Sequence, residues 1–427
     1  MCRVLLPLPR PPATDAPRQV IQMPTPTAPA TPLLSPGLAG IGGFSAPKRV
    51  LMGPGPSDVH PRVLAAASQG TIGHLDPEFV RLMDEIKLLL RATFRTDNDL
   101  TFAISAPGSI GMETSVVNLV EPGDTIIVAV NGVFGGRICA MAERAGARVV
   151  KVATPWGRAV DPADVEAALK ANPGAKVVAF VQAETSTGAL TDAKAIAAIA
   201  RAHGALSLCD AVTSLAGVPL EVDAWGIDAV YSATQKCLSA PPGLSPVSYS
   251  AAAVERVKSR KVPVVSWFQD LALVMSYWGS GGNATARRTY HHTAPVNALF
   301  GLHEALRMLH EEGLEASWAR HARTHALLAE GLEDLGFKYV VPKGERLPQL
   351  NSVWIPDGVD DAAGRGQLLN DHGVEIGAGL GDFAGKVWRI GLMGQSCTER
   401  HVDLLLNALA KVSGRTRSTV RKAEAAV

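Results

Sequence analysis

The chain has 427 residues, more than a single hydrophobic core usually supports, so two folded domains are expected. With 47% hydrophobic and 19% charged residues it has the composition of an ordinary soluble globular protein, and 41 Lys+Arg against 40 Asp+Glu leave a net charge of only +1. That balance speaks against nucleic-acid binding, and apolar runs such as Thr125 to Val130 and Ala205 to Cys209 are strand-sized, too short to cross a bilayer.

Residues 1–47 are dominated by Pro, Ala and Thr, with little periodic hydrophobicity, and are expected to form an extended or disordered arm. Its opening Met-Cys-Arg-Val-Leu-Leu has the start of an export signal, but Pro7, Pro9 and Arg10 cut the apolar stretch short. The final Ala-Ala-Val is not a peroxisomal tripeptide. The five cysteines, Cys2, Cys139, Cys209, Cys237 and Cys397, show no C-x-x-C spacing, which argues against a disulfide framework or zinc site and fits a reducing cytoplasm.

From Lys48 onward short apolar runs alternate with helical segments, the pattern of a largely parallel sheet covered by helices. Expected strands are Leu100 to Ile104, Thr125 to Val130, Arg148 to Val152, Lys176 to Val181, Ala205 to Cys209, Asp228 to Tyr231 and Val247 to Ser250. Asp161-Pro162 opens a helix that stops at Asn172-Pro173-Gly174, and Thr191-Asp192 opens another that runs to Ala202. Long amphipathic helices follow over Asn297 to Glu311 and Leu314 to Leu335, then strand-like Asn351 to Ile355 and Val387 to Ile390. The expected division is a large α/β domain over 48–312 and a smaller α+β domain over 313–427.

Three places along this order can carry chemistry. The turn Ala106-Pro-Gly-Ser109 leads from a strand into a helix, where small residues let backbone N–H groups and the helix dipole face a phosphate; Pro-Gly turns before helices are nonetheless common and most bind nothing. Asp210 ends an apolar strand, where open α/β sheets bind ligands and where a carboxylate can pair with a protonated pyridine nitrogen; a turn or helix-cap role for Asp-Ala-Val-Thr-Ser is equally open. Lys236 follows the strand Asp228 to Tyr231 in Ser232-Ala-Thr-Gln-Lys236, and a desolvated lysine there can form a Schiff base, although most lysines are simply exposed. Neighbouring His291 and His292 are expected to point opposite ways on an extended segment, without a third ligand, so no metal site is expected.

Taken together, Gly53-Pro-Gly-Pro-Ser57, Gly73-His-Leu-Asp76, Asn131-Gly-Val-Phe-Gly135, Glu184-Thr-Ser-Thr-Gly188, Asp210-Ala-Val212, Ser232-Ala-Thr-Gln-Lys236, Tyr290-His-His-Thr293 and Arg389-Ile-Gly391 resemble the class V aminotransferases of the alanine-glyoxylate and serine-glyoxylate type, from Lys48 to about Val412. The resemblance implies the fold type I architecture of pyridoxal-phosphate enzymes and a homodimer with shared active sites. It makes Lys236 the Schiff-base lysine, Asp210 the partner of the pyridine nitrogen, Val212 the residue under the ring and Phe134 the aromatic stacked on its other face. Thr185 matches the hydroxyl near the cofactor's phenolic oxygen, while Gly108, Ser109 and Gln235 fall where relatives hold the phosphate. Some relatives carry Ser-Gly-His where this chain has Pro107-Gly108-Ser109. Tyr290 and Thr293 match residues that reach the phosphate of the other subunit, and Arg389 matches the arginine that binds the substrate carboxylate, a bidentate task suited to a guanidinium.

The implied reaction moves an amino group from alanine or serine to glyoxylate, with pyridoxal 5'-phosphate as cofactor and glycine as product. A cysteine desulfurase is a weaker fit: relatives of that kind carry His at the positions of Gln235 and Phe134, and Cys237 directly follows the lysine. Other donors, such as 2-aminoethylphosphonate or pyridoxamine, and an inactive scaffold of the same fold remain alternatives.

Overall fold

The computed structural model describes residues 41–280 and 288–417. The proposed arm lies outside the described residues up to position 40, as do the last ten residues of the chain. Residues 41–47 are exposed and form neither helix nor strand, and the chain divides at Pro47.

Within the unit that begins at Lys48, seven strands form one sheet in the spatial order Leu100–Ile104, Ser245–Tyr249, Ala229–Tyr231, Leu206–Asp210, Val177–Val181, Thr125–Val130 and Arg148–Ala153. All seven expected strands are present, two with the expected ends and five with an end shifted by one or two residues. Most were legible because strands covered on both faces are mostly apolar: Val177–Val181 and Leu100–Ile104 are buried at every position. Ser245–Tyr249 departs from the parallel pattern, running antiparallel to both its neighbours. The preceding connection, residues 232–244, contains no helix to carry the chain across the sheet, so the strand turns back instead. That connection holds Lys236.

Helices cover the sheet and start where acceptor side chains meet the first free N–H groups. Asp76 caps Pro77–Phe94, Asp161 caps Pro162–Ala171 and Asp192 caps Ala193–Ala202, the first two with Pro in the opening turn. The two long helices occupy Val296–Glu312 and Leu314–Asp334. A second hydrophobic cluster, with Trp388, Leu328, Leu368 and Leu405 at its centre, lies between a three-stranded antiparallel sheet (Leu350–Trp354, Val387–Gly391, Gly377–Ala378) and the helices Leu314–Asp334, Asp361–His372 and Glu399–Val412.

The start of the unit crosses between these two regions. Val50–Leu51 pairs in parallel with Val374–Glu375, and Met52 belongs to the second cluster. A few residues later Ser57 meets the lysine loop: its N–H donates to the Gln235 carbonyl at 2.9 Å and its hydroxyl to the Lys236 carbonyl at 2.7 Å. Gly53 to Ser57 thus lines the route from the small sheet to Lys236. Among the described residues no helix is long and apolar enough to cross a membrane.

Candidate active site

The site gathers at the carboxyl ends of the central strands. Leu206–Asp210 and Ala229–Tyr231 are parallel partners with Asp210 directly opposite Tyr231, so the sheet ladder itself sets the carboxylate beside the lysine loop. Asp210 is 2% exposed. Its Oδ1 accepts the Val212 N–H at 2.9 Å and its Oδ2 accepts the Tyr231 hydroxyl at 2.8 Å. Burial pushes its pKa up to about 7, against the pull of those two donors. Such a carboxylate is poised to gain from a cationic partner.

Lys236 has its amine buried and donating to the Pro54 carbonyl, while part of its stem stays accessible. Burial, assisted by the Arg389 charge, lowers its pKa to about 8, and Asp210 pulls weakly the other way. The two side chains therefore sense each other, yet among the described residues no ion pair joins them. Gly55, at φ +107°, is the residue that admits the lysine: a Cβ there would lie 2.8 Å from Lys236 Cδ.

The turn at 106–109 opens the helix Gly108–Leu119, whose N-cap Pro107 supplies no side-chain acceptor. The Ile110 N–H donates to the Pro107 carbonyl at 2.8 Å, whereas those of Gly108 and Ser109 have no acceptor within the helix. A Cβ on Gly108 would come 2.8 Å from Ala233 Cβ and 3.5 Å from Val212 Cγ2, so the turn abuts both the lysine loop and the segment after Asp210. Ser109 is exposed, and Gln235 Oε1 is buried without a hydrogen-bond partner among the described residues. Behind the turn, Ser105 Oγ and His292 Nε2 lie 2.7 Å apart.

Phe134 is half-buried in the first turn of the helix Val133–Arg144, with the Arg137 guanidinium 4.7 Å from its ring centroid. Thr185 is buried, its hydroxyl 2.5 Å from that of Thr213. Arg389, 7% exposed, donates from Nε to the Ala378 carbonyl at 2.7 Å and from Nη1 to the Thr185 carbonyl at 3.2 Å. Burial lowers its pKa to about 10, leaving it cationic at neutral pH. The structure thus brings Gly108, Phe134, Thr185, Asp210, Val212, Gln235, Lys236 and Arg389 onto neighbouring helix starts, strands and loops. Tyr290 and Thr293 are different: both are exposed, Tyr290 to 61%, and Tyr290 packs beside His74 with ring centroids 5.4 Å apart.

One expectation fails in detail. His291 and His292 do not point apart; a bend at His292 brings their Nδ1 atoms within 2.8 Å. Trp267 stacks on His291 at 4.3 Å, so the pair is packed among aromatic rings, and among the described residues no group of three His, Cys, Asp or Glu is placed to hold a metal.

Two site residues escaped the sequence reading. Tyr231 ends an apolar strand, and its hydroxyl is spoken for only once the ladder sets it beside Asp210. Glu184 is fully buried and accepts from the Ser186 N–H at 3.0 Å, from the Ser186 hydroxyl at 2.5 Å and from the Gly135 N–H at 3.4 Å. Ser186 Oγ in turn accepts the Val133 N–H at 2.9 Å, so the pair caps the helix that carries Phe134. A carboxylate just after the apolar run Val177–Val181 was the available signal.

An uncapped helix N-terminus, a buried lysine of lowered proton affinity, a buried carboxylate in need of positive charge and a buried arginine make a donor set for a phosphorylated, protonatable ring carrying an aldehyde, together with a carboxylate substrate. Comparison with known proteins agrees. Residues 54–392 match the family described as Aminotransferase class-V. The chain is 40% identical to the alanine-glyoxylate aminotransferase of Rattus norvegicus over 367 residues, 86% of this chain and 88% of that protein. It is 35% identical to the (S)-ureidoglycine-glyoxylate transaminase of Bacillus subtilis, over 86% of this chain and 91% of that protein. The crystal structure of alanine-glyoxylate aminotransferase from Nostoc superposes with a TM-score of 0.84 at 45% identity, covering 87% of this chain and 97% of that one.

Proposed function

We propose, for a chain that belongs to the class V aminotransferases, that it transfers an amino group from alanine or serine to glyoxylate, yielding glycine and pyruvate or hydroxypyruvate. Its cofactor is pyridoxal phosphate. The observation that carries the reading is geometric: the sheet ladder sets the buried Asp210 beside the loop that holds Lys236, while the buried Arg389 is tied to the Thr185 carbonyl of the same site. Glyoxylate is supported by its recurrence in the names of relatives whose amino donors differ.

Bound pyridoxal phosphate supplies an aldehyde that takes up the amino group and an electron-poor ring that withdraws the electron pair left at the donor's α-carbon. Asp210 would pair with the ring nitrogen of the bound cofactor, its charge favouring a proton there. Val212 and Phe134 would bracket the ring, Thr185 would serve its phenolic oxygen, and the N–H groups of Gly108 and Ser109, with Gln235, would hold the phosphate. Arg389 grips the substrate carboxylate and so fixes which α-bond faces Lys236. Lys236, its amine substantially neutral near pH 8, takes the α-carbon proton at Nζ.

In this reading residues 48–312 form the cofactor-binding domain and 313–427 a smaller domain that supplies Arg389. Tyr290 and Thr293 reach the phosphate of a partner subunit in a homodimer. Their exposure supports this, as do the exposed Val265 and Trp267 on the segment packed against His291. A reducing cytoplasm is supported by four described cysteines, all free and buried.

The test is a panel of amino donors (alanine, serine, 2-aminoethylphosphonate, pyridoxamine) against glyoxylate and pyruvate. Turnover of alanine or serine with glyoxylate is expected. Activity with pyruvate and none with glyoxylate would overturn the acceptor, and a colourless protein that takes up no cofactor would favour a scaffold.

A further inference from the structure

Tyr231 is among the largest fully buried side chains of the protein, and its place is fixed on several sides. Its backbone pairs with Asp210 in the sheet, and its carbonyl accepts the Ala211 N–H at 2.9 Å. Gly111, in the first turns of the helix Gly108–Leu119, packs so closely that a Cβ there would lie 3.3 Å from Tyr231 Cβ. The ring is therefore held between the sheet and the helix proposed to bind phosphate, with its hydroxyl donating to Asp210 Oδ2 at 2.8 Å.

We propose that Tyr231 is a positioning residue that keeps Asp210 ionised and aimed at the cofactor's ring nitrogen, so that the shared proton stays on the nitrogen. The inference rests on the assignment of Asp210 made above. A carboxylate stripped of water keeps its charge only where protein donors replace the water. Asp210 has two such donors, the Val212 N–H and the Tyr231 hydroxyl. Of the other groups that act on it, Glu184 opposes its charge and Lys236 favours it, while burial keeps the neighbouring Cys209 thiol neutral. Tyr231 cannot exchange its role for that of an anion, because burial and the Asp210 charge hold its own proton firmly. It is a permanent donor. Without it, Asp210 binds protons more tightly and draws the proton off the ring nitrogen, weakening the ring as an electron sink.

Tyr231→Phe deletes one oxygen and keeps the packing. The test measures the NMR shift of an isotopically labelled ring nitrogen, cofactor affinity and steady-state kinetics in the wild type, Tyr231→Phe, Asp210→Asn and the double variant. In Tyr231→Phe the nitrogen resonance should move toward that of an unprotonated ring, with kcat about tenfold lower and the KM for the amino donor unchanged. In the Asp210→Asn background the same substitution should change nothing further, because its effect passes through the carboxylate. Replacing Tyr231 by a ring-fluorinated tyrosine, a stronger donor of unchanged fold, should move the resonance the opposite way, and it keeps the test open if the Phe variant folds poorly. An unmoved resonance in both Tyr231 variants, alongside a shift in Asp210→Asn, would overturn the role of Tyr231 and leave that of Asp210 standing. No shift in Asp210→Asn would instead sink the assignment beneath it.

Discussion

Arg389 Nη1 donates to the main-chain carbonyl of Thr185 at 3.2 Å, across 204 positions of sequence. The bond ties the small antiparallel sheet to the loop after Val177–Val181, and with the Nε bond to Ala378 it orients the guanidinium before any substrate arrives. Pre-orientation spares the substrate the cost of ordering a long side chain.

Arg389→Lys should therefore leave cofactor binding intact while raising the KM for amino and oxo acids. A point-charge ammonium cannot replace a planar fork already held by two carbonyls, and the loss should be about tenfold to a hundredfold. Steady-state kinetics would show it; an unchanged KM would remove Arg389 from the carboxylate site.

Lys236→Ala should abolish turnover and the visible absorbance of the loaded protein. In the wild-type apoprotein, acylation of Lys236 followed by mass spectrometry should rise with pH around a midpoint of about 8, because only the neutral amine attacks and burial lowers its pKa to that range. A midpoint at the ordinary lysine value would mean that the amine is solvated.

In the apoprotein, Asp210 carries a linkage whose sign is opposite to that of a salt-bridged carboxylate. Its pKa rises from the ordinary 3.8 to about 7, so between those values the native state keeps a proton that the unfolded chain has lost. Stability should fall as pH rises through this window, by an amount on the order of 4 kcal/mol at most. Urea unfolding at pH 4, 6 and 8 should show that slope in the wild type and a flatter profile in Asp210→Asn.

Glu184→Gln should destabilise the protein by about 1–3 kcal/mol, since an amide nitrogen turned toward any of the N–H groups now facing the carboxylate would leave a buried donor unmatched. The substitution also loosens the loop that holds both Phe134 and the Thr185 carbonyl. Thermal unfolding and the KM for amino acids should change together; a stability change alone would confine Glu184 to capping its helix.

The proposed sharing of sites across a homodimer predicts complementation. A Lys236→Ala chain and a Tyr290→Ala/Thr293→Ala chain should each be inactive, and co-refolding should restore about a quarter of wild-type activity, since half the dimers are mixed and each holds one intact site. No recovery despite formation of mixed dimers would place Tyr290 and Thr293 outside the partner's site.

Much of the architecture was legible before any coordinates. Most strands of the large sheet announce themselves as apolar runs, and Asp161 and Asp192 mark helix starts because a short acceptor side chain has a specific use at a helix N-terminus. The site was legible as a set of motifs, Asp210 and Lys236 each following such a run. The direction of Ser245–Tyr249 was not, because this strand is buried at every position and so shows no alternation that would mark it as antiparallel. His291 and His292 misled for a related reason: alternation holds only on an extended backbone, and the chain bends there.

By itself, then, the sequence determined which residue types stand at the ends of which strands, and with them the chemistry available, because burial on both faces of a sheet and the needs of helix termini are local constraints written into composition. Only the tertiary structure decided which of those groups meet. Tyr231 becomes a donor to Asp210, Glu184 a cap for the Phe134 helix and Gly55 the opening for Lys236 through a sheet ladder, a helix end and a chain crossing that join distant positions. The burial that moves the proton affinities of Lys236 and Asp210 toward neutrality is likewise a property of the assembled surroundings, since the cost of a charge depends on what has replaced the water around it.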